Sequence, residues 1–197
     1  VSTTTIRPGR GTDVEAVAQV CRATARGGDP QPPDTPDPDL VALVYARPYL
    51  ALAPDTARVL LRDGVVVGYA VGAVQSAAFY ERWRDEWAPR HLPRPAGADP
   101  ALVALLAHPE SALPPGLEAY PSHLHMNLMP SVRGGGWGSR LLDDVVHGLA
   151  AAGSPGVHVR VDAENRAALR FYARAGFVPL LGDGTITMVR RLTAAGG

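Results

Sequence analysis

Between His123 and Leu128 the apolar residues Leu124, Met126 and Leu128 alternate with His123, His125 and Asn127, the period of two of a strand whose faces meet different surroundings. From Ser139 the period lengthens. Leu141, Leu142, Val145, Val146 and Leu149 recur at helical spacing, with Asp143, Asp144 and His147 opposite and Gly153 where a C-terminal cap belongs. Between the two, Pro130 stops the strand and Arg133-Gly134-Gly135-Gly136-Trp137-Gly138 supplies a glycine-rich turn. The stretch therefore predicts strand, turn and helix in immediate succession.

The same reading applied to the rest of the chain predicts a first strand at Thr3–Arg7, then a helix carrying Val14, Val17, Val20 and Cys21 with Thr12 or Asp13 as its cap. Residues 29–38, DPQPPDTPDP, hold too many prolines for regular structure and read as a solvated connector, followed by a short helix from Asp39 to Ala46. Residues 57–62 and 65–74 flank Asp63-Gly64, a dipeptide suited to a two-residue hairpin turn. Phe79, Trp83 and Trp87, four apart, fall on one helix face and read as core; a helix at Pro100–Ala107 breaks an otherwise proline- and alanine-rich insertion over about 76–121. Val157–Val161 is a strand by alternation. A closing hairpin turns around Gly182-Asp183-Gly184.

With 197 residues and 46% hydrophobic composition the chain can bury a full core as one domain, 1–197, without a metal or disulfide staple. Nineteen basic and nineteen acidic residues leave no net charge and no electrostatic case for nucleic acid or an anionic membrane. Every basic residue other than histidine is Arg, which excludes auto-acetylation of a lysine side chain. One cysteine, Cys21, on an apolar helix face, agrees with burial and a reducing cytoplasm; the N-terminal residues lack a signal-like pattern, and the expectation is a soluble cytoplasmic protein.

The turn carries the chemistry. Glycines let successive N–H groups converge without a Cβ in the way, and the following helix adds its dipole, so an anion is expected there. Gly138 is followed by Ser139-Arg140, not the Lys-Ser/Thr of a P-loop, and no G-x-G-x-x-G register fits. What fits is R-x-x-G-x-G as Arg133, Gly136 and Gly138, and with it Asn165, Ala168, Phe171, Tyr172, Gly176 and Phe177 in N-x-x-A-x-x-F-Y-x-x-x-G-F. The pair of motifs resembles the GNAT superfamily of acyl-CoA N-acyltransferases. Residues 59–89 and 120–128 resemble, more narrowly, the acetyltransferase-like C-terminal domain of animal O-GlcNAcase and its stand-alone bacterial relatives.

The resemblance implies an α/β (α+β) fold: a mixed sheet of six to seven strands, helices on both faces, and two central parallel strands that splay to admit acetyl-CoA. It assigns Arg133, Gly134, Gly135, Gly136, Trp137, Gly138 and Ser139 to the pyrophosphate, the backbone of Leu128 and Met129 to the pantetheine arm and thioester, Asn165 to the cofactor, and Tyr172 to the neighbourhood of its sulfur. A phenol there can protonate a departing thiolate. Members of the narrower group often carry Asp where this chain has Asn127, and an amide is no base. Deprotonation then falls to His125, two positions back, or His123, a further step away, with a pH–rate profile rising through about 6 to 7. Two other readings stand beside the enzyme: an acetyl-CoA-binding or protein-interaction module without turnover, and a metal site built from His123, His125 and His158. The amine acceptor is not legible, and oligomeric state, a homodimer included, is open.

Overall fold

The computed structural model describes residues 2–182 and 184–193; Asp183, in the turn of the closing hairpin, lies outside the described residues. Seven strands form one mixed sheet: β1 (Thr4–Pro8), β2 (Arg58–Arg62), β3 (Val65–Ala73), β4 (Ser122–Leu128), β5 (Gly156–Asp162), β6 (Val178–Leu181) and β7 (Thr185–Arg191), in the order β1-β2-β3-β4-β5-β7-β6. Every neighbouring pair is antiparallel except β4 and β5. That pair matches register only at Ser122 with Val157 and His123 with His158, and beyond it the strands part. At the β2–β3 turn Asp63 (φ 50°) and Gly64 (φ 80°) both adopt the left-handed conformation that a type I′ hairpin needs.

Among the described residues eight α-helices cover the sheet. On one face lie α1 (Val14–Ala23), α2 (Leu40–Tyr45), α3 (Arg47–Leu52), α4 (Ser76–Arg82), α5 (Ala88–His91) and α6 (Pro100–Ala107). On the other lie α7 (Trp137–Ala151) and α8 (Arg166–Arg174). Residues 83–87 join α4 to α5 as a π-helical turn whose indoles are both buried and both bonded, Trp83 Nε1 to the Leu106 carbonyl and Trp87 Nε1 to that of Leu43, each at 3.0 Å. Those bonds explain why tryptophan is tolerated inside: the polar edge of each ring finds an acceptor.

Two local expectations change. Asp13 does not cap α1; its carboxylate takes both Arg7 nitrogens, at 2.7 and 2.8 Å, and the Arg10 N–H, an ion pair between β1 and the helix entry that outcompetes a cap. Residues 47–52, left without a helix by the sequence reading, form α3, with Pro48 in its first turn where a missing N–H costs nothing. This helix delivers the fully buried Tyr49 to the sheet.

What fixes the site is α7. Leu141, Leu142, Val145, Val146 and Leu149 are all buried against the sheet, a gross hydrophobic gain on the order of 10 kcal/mol at roughly 2 kcal/mol per side chain. The helix starts at Trp137, two residues earlier than its apolar period suggests, so its N-terminus stands at the mouth of the β4–β5 gap.

Candidate active site

Gly134 (φ +82°) and Gly136 (φ +75°) turn the chain from β4 into α7. From Gly134 to Ser139 no backbone N–H has an acceptor among the described residues; the first to be paired is Arg140, to the Gly136 carbonyl at 3.2 Å. Nor does any side chain cap the helix. Six successive free donors and the dipole of a fifteen-residue helix are features that attract an anion. One reason changes: a Cβ built on Gly136 meets nothing within 4 Å, so the demand for glycine comes from the positive φ. At Gly138 the demand is packing, because a Cβ there would lie 3.3 Å from the Phe171 ring.

Arg133 points elsewhere. Its Nε and Nη2 donate to the Leu128 carbonyl at 3.1 and 2.9 Å, and Nη2 also to the Gly28 carbonyl at 3.0 Å, so the guanidinium ties the turn to the end of β4 and to the chain leaving α1. Trp137 is half-buried, with the Arg140 guanidinium 4.8 Å above its ring.

Behind the turn a cleft of about 650 Å³ runs into the β4–β5 gap, lined among others by Cys21, Tyr45, Tyr69, His125, Asn127, Arg160, Asn165 and Tyr172. Backbone polarity on its β4 wall follows from register. Met129 N–H donates to Val67 O at 2.9 Å and its carbonyl accepts from Val132 N–H, so Met129 is fully engaged. Alternation then turns Leu128 and Met126 away from β3 and toward the gap. The apolar side chain of Met126 gives no sign in the sequence that its backbone faces the gap.

On α8, Asn165 Oδ1 caps the helix by accepting from Ala168 N–H at 3.0 Å, leaving the amide nitrogen for a ligand. Tyr172 is 7% exposed, its ring between Phe171 and Phe177 at 5.2 and 5.3 Å, and its hydroxyl has no partner among the described residues. Burial pushes this phenol well above its ordinary value of 10. It stays protonated at any working pH.

The polar residues of β4 divide sharply. His123 is buried, with Nε2 2.8 Å from Tyr49 Oη and Nδ1 2.7 Å from Ser76 Oγ. Ser76 donates its one proton to the Pro121 carbonyl at 2.6 Å, which makes His123 the donor at Nδ1 and the acceptor of the Tyr49 proton at Nε2. Both nitrogens are spent, and burial holds the imidazole well below the ordinary 6.5. His125 has no hydrogen bond from the described residues; it faces the cleft with its ring edge-on to Tyr45 and Tyr49 at 5.3 and 5.4 Å. Burial first, then the charges of His158 and Arg160, lower it to about 4. The titration expected near 6 to 7 is drawn down by this packing, although the half-buried ring keeps an edge on the cleft. Asn127 Nδ2 donates to the Tyr69 hydroxyl at 3.1 Å.

His158 donates Nδ1–H to the Tyr120 carbonyl at 2.9 Å and is likewise lowered by burial. With His123 doubly engaged, the three histidines offer no shared set of lone pairs, and among the described residues no group of three His, Cys, Asp or Glu side chains is placed to hold a metal ion. Cys21 is buried beside Tyr69, and desolvation pushes its thiol up to about 11, which removes it as a nucleophile.

These three neutral histidines set a pH dependence. Their folded values lie below 6.5, so as pH falls through 6.5 the unfolded chain binds protons that the folded chain refuses, and stability present above 6.5 is lost. Each contributes up to about 1.4 kcal/mol per pH unit. Urea midpoints should fall steeply from pH 7 to pH 5, where carboxylates still hold their charge; a flat midpoint over that range would contradict the assignment of all three as neutral.

An uncapped helix N-terminus at the mouth of a splayed parallel pair has the shape and polarity to suit an elongated ligand with an anionic end. The comparisons with known proteins name the class. The sequence profile of the Acetyltransferase (GNAT) family matches residues 116–177, which span β4 through α8. A crystal structure of SsHAT is 33% identical, covers 97% of this chain and 99% of its own, and superposes with a TM-score of 0.90. Protein O-GlcNAcase of Rattus norvegicus is 26% identical over 181 residues, which is 87% of this chain; the chain spans about a fifth of the length of that relative, 20%. The structure of yncA from Salmonella typhimurium with its cofactor acetyl-CoA shares the fold at a TM-score of 0.56 and 17% identity, covering 98% of this chain and 96% of that one. The chain belongs to the GNAT acetyltransferase family. No helix of the described residues is long and apolar enough to cross a membrane.

Proposed function

We propose that the chain is one acetyltransferase domain that binds acetyl-CoA in the β4–β5 gap and transfers the acetyl group to an amine by direct attack. The observation that carries this reading is the run of six N–H groups from Gly134 to Ser139, unpaired among the described residues, at the head of α7, opening onto a cleft of about 650 Å³. Those donors take the pyrophosphate. The Leu128 and Met126 backbone takes the arm, Asn165 contributes its amide nitrogen, and Tyr172 meets the sulfur.

The amine nitrogen gives its lone pair to the acetyl carbon as the C–S bond breaks, and the sulfur leaves with the bonding pair. Tyr172, held protonated, stabilises that charge chiefly as a hydrogen-bond donor, since its raised pKa makes full transfer to a thiolate uphill. His125, neutral down to about pH 4, accepts a hydrogen bond from the incoming amine and orients its lone pair. It is too weak a base to strip an ammonium at neutral pH. His123 holds Tyr49 and β4 in place.

A second reading, binding without turnover, is favoured by one observation: the position at which the resemblance implies an acid is Asn127, whose amide is tied to Tyr69. Titration calorimetry with acetyl-CoA and desulfo-CoA tests the part common to both. Saturable binding of each is expected; no heat at tens of micromolar ligand contradicts both.

A further inference from the structure

Arg160 is accounted for by neither the fold nor the transfer chemistry. Strand alternation puts His158, Arg160 and Asp162 on one face of β5, and because His158 lies beside His123 this is the face on which β4 shows His125 and Asn127. Arg160 is exposed, lines the cleft, and makes no hydrogen bond or ion pair with the described residues. One acid is near, Asp162, two residues on along the same face; its Oδ1 accepts from Glu164 N–H at 2.8 Å and it makes no ion pair with the guanidinium. The other arginines of the cleft differ in place: Arg133 is bonded to carbonyls, and Arg174 stands one turn beyond Phe171, on the side of the glycine turn.

On its β4 side the wall beside Arg160 carries no charged side chain. Tyr45 and His125 meet edge to face at 5.3 Å, and no side chain there takes a proton from an ammonium at neutral pH. An acceptor on this wall must arrive with a free lone pair, which aromatic amines do. An unpaired guanidinium beside such a wall pairs best with a planar carboxylate, to which its fork donates twice.

We propose that Arg160 selects the acceptor, pairing with a carboxylate carried by a small aromatic amine whose ring lies against Tyr45 and whose nitrogen is thereby held at the β4–β5 gap. The inference rests on the acetyltransferase reading above. The transfer balances without another reagent: the nitrogen bonds the acetyl carbon, the C–S pair leaves with sulfur, and the proton lost by nitrogen ends on sulfur.

The test uses 4-aminobenzoate and 4-aminobenzamide, matched in ring and size, against the full chain saturated with CoA for binding and with acetyl-CoA for CoA release. The wild type should prefer the carboxylate by about 10 to 10² in both readouts, the range for hydrogen bonds to a charged group. Arg160→Gln should bring the ratio to about one, and Arg160→Lys should retain part of it, with acetyl-CoA affinity kept in both. No preference in the wild type, an equal loss for both probes in Arg160→Gln, or a parallel loss of acetyl-CoA affinity would overturn the assignment. Arg160-dependent binding of the carboxylate with no CoA released leaves the anchor standing and removes the transfer reading. CoA release without carboxylate preference does the reverse.

Discussion

Tyr172→Phe is expected to lower the turnover number by about 10² or more while leaving acetyl-CoA affinity and stability nearly unchanged. The reasoning is local. The hydroxyl has no partner among the described residues, so removing it orphans nothing, and the ring keeps its contacts with Phe171 and Phe177. What is lost is a donor in a desolvated wall, where a hydrogen bond to a developing thiolate is stronger than in water. Because burial raises the phenol, the wild-type rate should show no alkaline fall from Tyr172 within the usual assay range. Stopped-flow thiol detection on wild type and variant measures it, and an unaltered turnover number would reduce Tyr172 to packing.

Gly136→Val should weaken acetyl-CoA binding by about 10², as a β-branched residue cannot hold φ near +75° and the turn must rearrange. The Cβ meets nothing in the free protein, so the loss arises from scattering the N–H groups that face the pyrophosphate, at roughly 1.5 kcal/mol for each charged hydrogen bond lost. Gly153 supplies the control. It sits at the far end of α7 with φ +86° and equally open space, so Gly153→Val carries similar strain without touching the cleft. Calorimetry should find affinity lost in the first variant and retained in the second; equal losses would mean a general effect of strain.

The elements the sequence shows best are those whose signal is local. The β2–β3 hairpin follows from Asp63-Gly64, β4 and β5 from period two, and α7 from its apolar stripe, and each stands within two residues of its expected bounds. The glycine turn is legible for the same reason: positive φ and free N–H groups are properties of the segment itself. Residues defined by distant neighbours are not. His123 and His125 look equivalent in His-Leu-His, yet α3 and α4 bring Tyr49 and Ser76 to the first as hydrogen-bond partners, while the second gains only the ring contact of Tyr49 from them. The depressed pKa of His125 depends on helices some eighty residues away. Tyr45 reads as one more apolar residue of a short helix until α2 is laid on the sheet. Arg160 leaves a trace, since His158, Arg160 and Asp162 form a polar file along a strand that the period of two already marks.

The central claim is acetyl transfer from acetyl-CoA to an amine in this cleft. It is tested most directly by incubating the protein with acetyl-CoA and an aromatic amine and following free thiol and acetylated amine together by mass spectrometry. The account predicts one acetylated amine for each CoA released, at a rate cut about 10²-fold by Tyr172→Phe. Saturable acetyl-CoA binding with no acetylated product from any amine in a broad panel would contradict it.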